Sequence, residues 1–353
     1  MLENSQILML KMSPEQLKVF NEFSSTYELE KSLRGDENII HRDSQMKCRF
    51  CRRTNNQVKF NKAHIIPQLL GKAQPTSKFE CKECNDIFSG YETDLGHYLL
   101  IDRAMLGQPK KKSGKPKYKD NGFSIKNLTT VPDHLQGIDE AIMLQELLDA
   151  DEKVTLLYNN SFDTNKFKRT DNELDVTLNI KPYIPFNIFR VFAKIGLLLL
   201  DENEMSDYSI VKNLLHPNFK IPQEYDYTSD IFRMCTISIP LFANLFPSPI
   251  VYIYKRKIDS RHVKRIFVLF FGSKIFQIPL FSDIEIQEID NGTTKQLIPT
   301  SPFINPYSQY ISELPDHIYT AIASSGNTWT NLYSTTLKKN DTHNLRFTKN
   351  EDI

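Results

Sequence analysis

The chain has 353 residues, 40% of them hydrophobic and 25% charged, with a formal net charge of +1. That composition excludes wholesale disorder and allows a sizeable buried core, while the even charge balance excludes a global polycation but not local basic patches. No apolar run approaches the eighteen or so residues that span a bilayer, and the opening MLENSQILML has neither the basic lead nor the small-residue cleavage site of a secretory signal. The expectation is a cytoplasmic protein with no membrane partner.

Residues 1–40 read as a helical lead-in, because Ser13, Pro14 and Glu15 form a cap ahead of apolar residues at helical spacing in SPEQLKVFNEFSSTYELEKSL. From 42 to 72 the chain turns basic, with Arg42, Lys47, Arg49, Arg52, Arg53, Lys59, Lys62 and Lys72 against Asp43 alone. A helix is predicted from near Cys84, since Ile87, Tyr91, Leu95, Tyr98 and Leu99 fall on one stripe. The stretch GQPKKKSGKPKYKD, 107–120, reads as a basic linker, which closes a first module at 41–106.

Residues 121–325 then alternate elements. KVTLLYNN and NELDVTLNIKP read as strands, and PFNIFRVFAKIGLLLLDE reads as a helix entered through Pro185. MCTISIPL, SPIVYIYKRK, KRIFVLFF and KIFQIPLF follow as further strands, the last two joined as a hairpin. The fold class expected is α+β, with a small first module followed by a larger mixed α+β domain. Residues 326–353 read as a polar tail.

Four of the five cysteines form two pairs, CRFC at 48–51 and CKEC at 81–84, separated by twenty-nine residues. Each CxxC turn offers two thiolates to one ion, and two such turns complete a tetrahedron, so Cys48, Cys51, Cys81 and Cys84 are read as ligands of a structural Zn2+. Four thiols that merely pair are the alternative. A closed four-thiolate site has no open position, so chemistry has to come from elsewhere. The fifth cysteine, Cys235, reads as a small buried hydrophobe.

CRFC, AHIIPQLLG and CKECNDIF in this order resemble the HNH endonucleases, or ββα-metal nucleases, over about residues 45–102. The resemblance implies that His64 is the general base that deprotonates the attacking water, and that Asn85 binds the catalytic divalent ion, Mg2+ or Mn2+. The chain departs from the family twice. The middle asparagine falls at Thr76 or Ser77, and Ala63 stands where many members carry an acid or histidine ligand. Glu92 lies seven residues beyond Asn85, two helical turns along the same face, and is read as the replacement ligand, with an ordinary solvated glutamate as the alternative. The chemistry is consistent in itself, because an imidazole can take a proton near neutral pH and a cation can stabilise the charge that builds on phosphate oxygens.

Arg49, Arg52, Arg53, Lys62, Lys72, Lys110, Lys111 and Lys112 are read as phosphate contacts. The function expected is a metal-dependent endonuclease acting on DNA, with RNA left open, in restriction or antiphage defence. The region from 121 onward would position substrate, form a homodimer or sense a trigger ligand. The alternative is a catalytically inactive zinc-stapled module that binds nucleic acid.

Overall fold

The structure is a computed structural model that describes residues 14–35, 40–41, 47–71, 75–106, 116–120, 123–128, 141–143, 153–158, 167–169, 173–218, 230–238, 246–257, 261–272, 274–290, 298, 326–334 and 337–348. Helix α1 (Pro14–Thr26) stops earlier than the spacing of YELEKSL predicts. The hydroxyls of Ser25 and Thr26 donate back to the Glu22 carbonyl at 2.9 and 2.8 Å, a local alternative to helix continuation. The next residues pair instead, as strand β1 (Tyr27–Arg34).

Three two-residue strands, β2 (Ile40–His41), β3 (Ala63–His64) and β4 (Thr76–Ser77), make a small sheet in the order β2-β4-β3. Helix α2 (Lys82–Tyr98) begins inside the second cysteine pair, and α3 (Leu100–Met105) follows it. Part of the expected linker is a strand: β5 (Lys117–Asp120) pairs with β6 (Phe123–Leu128), because Tyr118 is buried and donates to the Asn179 carbonyl at 2.8 Å. These two join β7 (Ala141–Met143) and β8 (Lys153–Tyr158) in a four-stranded sheet, and α3 packs on β5 and β6. Strands β9 (Phe167–Arg169) and β10 (Glu173–Asn179) follow.

Helix α4 (Pro185–Leu199) starts at the expected proline and is buried from Pro185 to Leu198. A helix buried on all sides belongs inside a layered core. Its outer neighbours are α5 (Glu202–Met205) and α6 (Ser209–Leu214). One face lies on a six-stranded antiparallel sheet built from β1, β11 (Arg233–Ser238), β12 (Phe246–Arg256), β13 (Arg265–Gly272), β14 (Lys274–Leu280) and β15 (Gly326–Asn331), in the order β1-β12-β13-β14-β11-β15. Phe192 meets Phe267 and Phe276 across that interface, each pair with ring centroids 5.7 Å apart. The opposite face lies on α2. Helix α7 (Asp283–Asp290) comes next, and β16 (Thr342–Thr348) pairs with β10.

Two of these strands come from the stretch expected to be a polar tail. GNTWTN pairs at a sheet edge and THNLRFT beside β10, and edge strands tolerate the polar residues that made the segment read as loose. Buried Arg265 holds the opposite edge: it meets Glu30 of β1 with Nε at 2.6 Å and a terminal nitrogen at 2.7 Å, and donates to the Tyr208 hydroxyl at 3.0 Å. The hydrophobic core is one cluster that runs from Phe23 through the cysteine segment to Leu332. No helix among the described residues is long and apolar enough to cross a membrane.

The hairpin end at Gly272 has φ of 61°, and a Cβ there would run into the side chain of Leu106, just past α3. Gly272→Ala should therefore destabilise the protein by about 1–3 kcal/mol, through left-handed strain and overpacking together. Denaturant unfolding measures it, and an unchanged midpoint would show that Leu106 gives way freely.

Candidate active site and zinc centre

The first cysteine pair sits on a tight turn. Cys48 N–H donates to the Arg53 carbonyl at 2.8 Å, Arg52 N–H returns to the Cys48 carbonyl at 2.9 Å, and Arg52 takes the left-handed conformation at φ 64° to close it. The second pair opens α2, with Cys81 just before the helix and Cys84 in its first turn. Cys81 N–H points at Cys48 Sγ at 3.4 Å, and Lys82 N–H bonds the Lys59 carbonyl at 2.7 Å, so the two turns are locked together by backbone.

All four Sγ atoms lie within 4.8 Å of one another, and the Cys48–Cys84 and Cys51–Cys81 pairs are each 3.7 Å apart. A zinc tetrahedron with bonds of about 2.3 Å has edges of about 3.8 Å, so the cluster has the size of its ion. The thiols are free, with no disulfide among them. The hydrogen bond between the two sulfurs holds the Cys48 thiol low and pushes the Cys84 thiol up. Among the described residues this is the one group of three or more His, Cys, Asp or Glu side chains close enough to hold an ion.

His64 lies on β3, opposite Thr76 in the antiparallel ladder, while Ala63 pairs with Ser77. Of the two hydroxyl residues at the place expected for the middle asparagine, Thr76 is thus directly opposite His64 and Ser77 one position along. His64 is half-buried, and its Nε2 is 2.5 Å from Nε2 of Gln68, on the single 3-10 turn that follows. Either face of that amide fixes the imidazole proton: its NH2 calls for an unprotonated Nε2, its oxygen for Nε2–H. Gln68 was not singled out from sequence, and its only signal is a polar side chain four residues past the histidine.

Behind His64 is a second feature that sequence reading missed. Lys194 of α4 is 1% exposed and donates to the His64 carbonyl at 3.2 Å. Its ammonium also lies 3.1 Å from Glu80 Oε1 and 3.7 Å from Glu92 Oε1. Glu80 is fully buried, and burial pushes its carboxyl up to about 7 against the pull of Lys194. Neither Glu80 oxygen has a well-directed hydrogen bond among the described residues. Glu92 is raised by burial as well, with its side chain 21% exposed. Glu92 is therefore no freely solvated glutamate: it faces the ammonium that also touches the backbone of His64. Asn85 sits half-buried in the first turn of α2.

The basic residues divide. Arg49 is turned inward, donating to the carbonyls of Leu198 and Leu200 at 3.2 and 3.0 Å and stacking 3.4 Å over the Phe79 ring, so it caps α4 rather than facing a phosphate. Arg52 pairs with Glu202 at 2.6 Å, and Arg53 pairs with Glu83 and donates to Cys51 Sγ at 3.4 Å. Lys62, next to β3, is exposed. Lys72, Lys110, Lys111 and Lys112 lie outside the described residues.

Residues 48–94 match the family model described as HNH endonuclease. The HNH segment so defined holds the four cysteines, His64, Asn85, Glu80 and Glu92, but not Lys194. No curated protein and no solved structure matches the chain.

Elemental analysis of the purified protein should return about one zinc per chain, and Cys81→Ser should lose both the metal and cooperative melting of the HNH segment. A protein that folds and melts normally without zinc would contradict the assignment.

Proposed function

We propose that the chain is a metal-dependent HNH endonuclease that hydrolyses phosphodiester bonds in DNA, with His64 as the general base. The observation that carries the reading is the HNH match over 48–94 together with a half-exposed His64 on β3, its ring met by Gln68 and its backbone by Lys194. As the oxygen of a water bonds to phosphorus, an imidazole nitrogen of His64 takes its proton, and the phosphorus–oxygen bond to the leaving sugar breaks. Mg2+ or Mn2+ at Asn85 and Glu92, completed by water and substrate phosphate, would supply the charge that stabilises the oxyanion. One carboxylate and one amide would leave most positions of such an ion to water and phosphate, and because the two residues stand about 10 Å apart along α2 both side chains would have to reach toward each other. Lys62 supports a phosphate contact beside the strand, and Lys72 with Lys110, Lys111 and Lys112 remain proposed contacts of the same kind. Restriction or antiphage defence is the setting we propose, on the analogy of a nuclease segment joined to a larger region.

One observation favours a second reading, a module that binds nucleic acid without cutting it. Ala63 is buried and offers no ligand, and Glu92 already faces a cation.

Plasmid cleavage with Mg2+ or Mn2+ separates the two. His64→Ala should lose about 10²–10⁴ of the rate, and chelation should abolish cutting. Equal cutting by His64→Ala would remove His64 as base. If neither protein cuts DNA or RNA while both bind it alike, the binding-module reading takes its place.

A further inference from the structure

Helix α4 carries two cations four residues apart in an otherwise apolar run, Arg190 and Lys194. Arg190 makes its hydrogen bonds within its own half of the molecule, to the Leu214 carbonyl at 2.8 Å and to Asn187 Oδ1 at 2.9 Å, and meets the HNH segment only through the Tyr91 ring, 4.8 Å from its guanidinium. Lys194 turns the other way. Its three oxygen partners, the His64 carbonyl, Glu80 and Glu92, all belong to the HNH segment, and the ring of Phe88 lies 5.5 Å from its ammonium.

Burying an ammonium is costly, and a pair that served only to fasten two helices would be balanced by one carboxylate. Here two carboxylates face one ammonium, and the better directed contact goes to the backbone of His64, not to either acid. Strand β3 is two residues long, too short for its ladder alone to fix the His64 backbone.

Resting on the endonuclease reading, we propose that Lys194 is a positioning residue of the nuclease site. It clamps the His64 backbone through its carbonyl and holds the Glu92 carboxylate on the same side, so that base and acid keep their relation while α4 is docked. The larger region thereby supplies a part of the site that the HNH segment lacks, and any movement of α4 relative to α2 is felt at His64.

The test removes both buried charges and keeps volume, in the double variant Glu80→Leu with Lys194→Met. Replacing a buried ion pair by apolar side chains of similar size is often neutral for stability. Its melting should stay near that of the wild type, while kcat for DNA falls on the order of tenfold to a hundredfold with KM unchanged, as displacement of a base from its reacting atoms does. The His64 ring resonances, followed by NMR against pH, should shift. If leucine misfits, Glu80→Gln with Lys194→Met keeps both shapes and is read in the same way. A folded double variant with wild-type kcat and unmoved His64 signals would overturn the proposal and leave Lys194 a packing residue. If the wild type itself cuts nothing, the endonuclease reading falls, and the His64 signals, which require no turnover, still decide the clamp: unmoved signals overturn it.

Discussion

Helix α4 has no face toward water, and most of the structure is arranged around that constraint. Its apolar side rests on the six-stranded sheet, which leaves the HNH segment to cover the remainder. The segment does so with three polar attachments spaced along the helix. Asp94 of α2 accepts from the Ile184 N–H at 3.1 Å and from the Asn187 amide at 2.6 Å at the start, Lys194 meets Glu80 in the middle, and Arg49 caps the carbonyls at the end. Helix ends expose unpaired backbone groups, so a buried helix requires such partners, and several of them here come from the segment that also holds the four cysteines and His64. The candidate site is thus fixed to the core of the larger region, not carried on a separate unit.

The cysteine cluster and α4 share the work of organising a segment in which α2 is the one long element among the described residues. Its strands are two residues long and its sheet is small. A tetrahedral set of thiols can hold two turns together without a large core, and the shared hydrophobic cluster supplies the rest. His64 sits at the seam between these two supports, with β4 on one side and Lys194 behind it.

What could be read in advance follows the range of each signal. The cysteine pairs are local, because ligand spacing is imposed by one turn, and α4 announces itself by Pro185 and an unbroken apolar run. The hairpin of β13 and β14 is equally local. The Glu80–Lys194 pair could not be read, since each residue looks like a stray charge until the fold joins them. Strand β1 read as helix because its apolar spacing suits both, and pairing with β12 decided it. The basic stretch misled for a related reason: charge counts say nothing of partners, and Arg49, Arg52 and Arg53 are engaged within the protein, while Lys62, two residues before His64 in the chain, is exposed.

On the function proposed, His64 stands in an ion-dependent centre distinct from the four-cysteine cluster. The most direct measurement is anomalous diffraction at the manganese edge from crystals of the protein with Mn2+ and a DNA duplex bound. The expected result is a manganese peak beside Glu92 and Asn85, on the His64 side of α2, in addition to zinc among the four cysteines. Manganese found only at the cysteines, or nowhere, with DNA in place would contradict it.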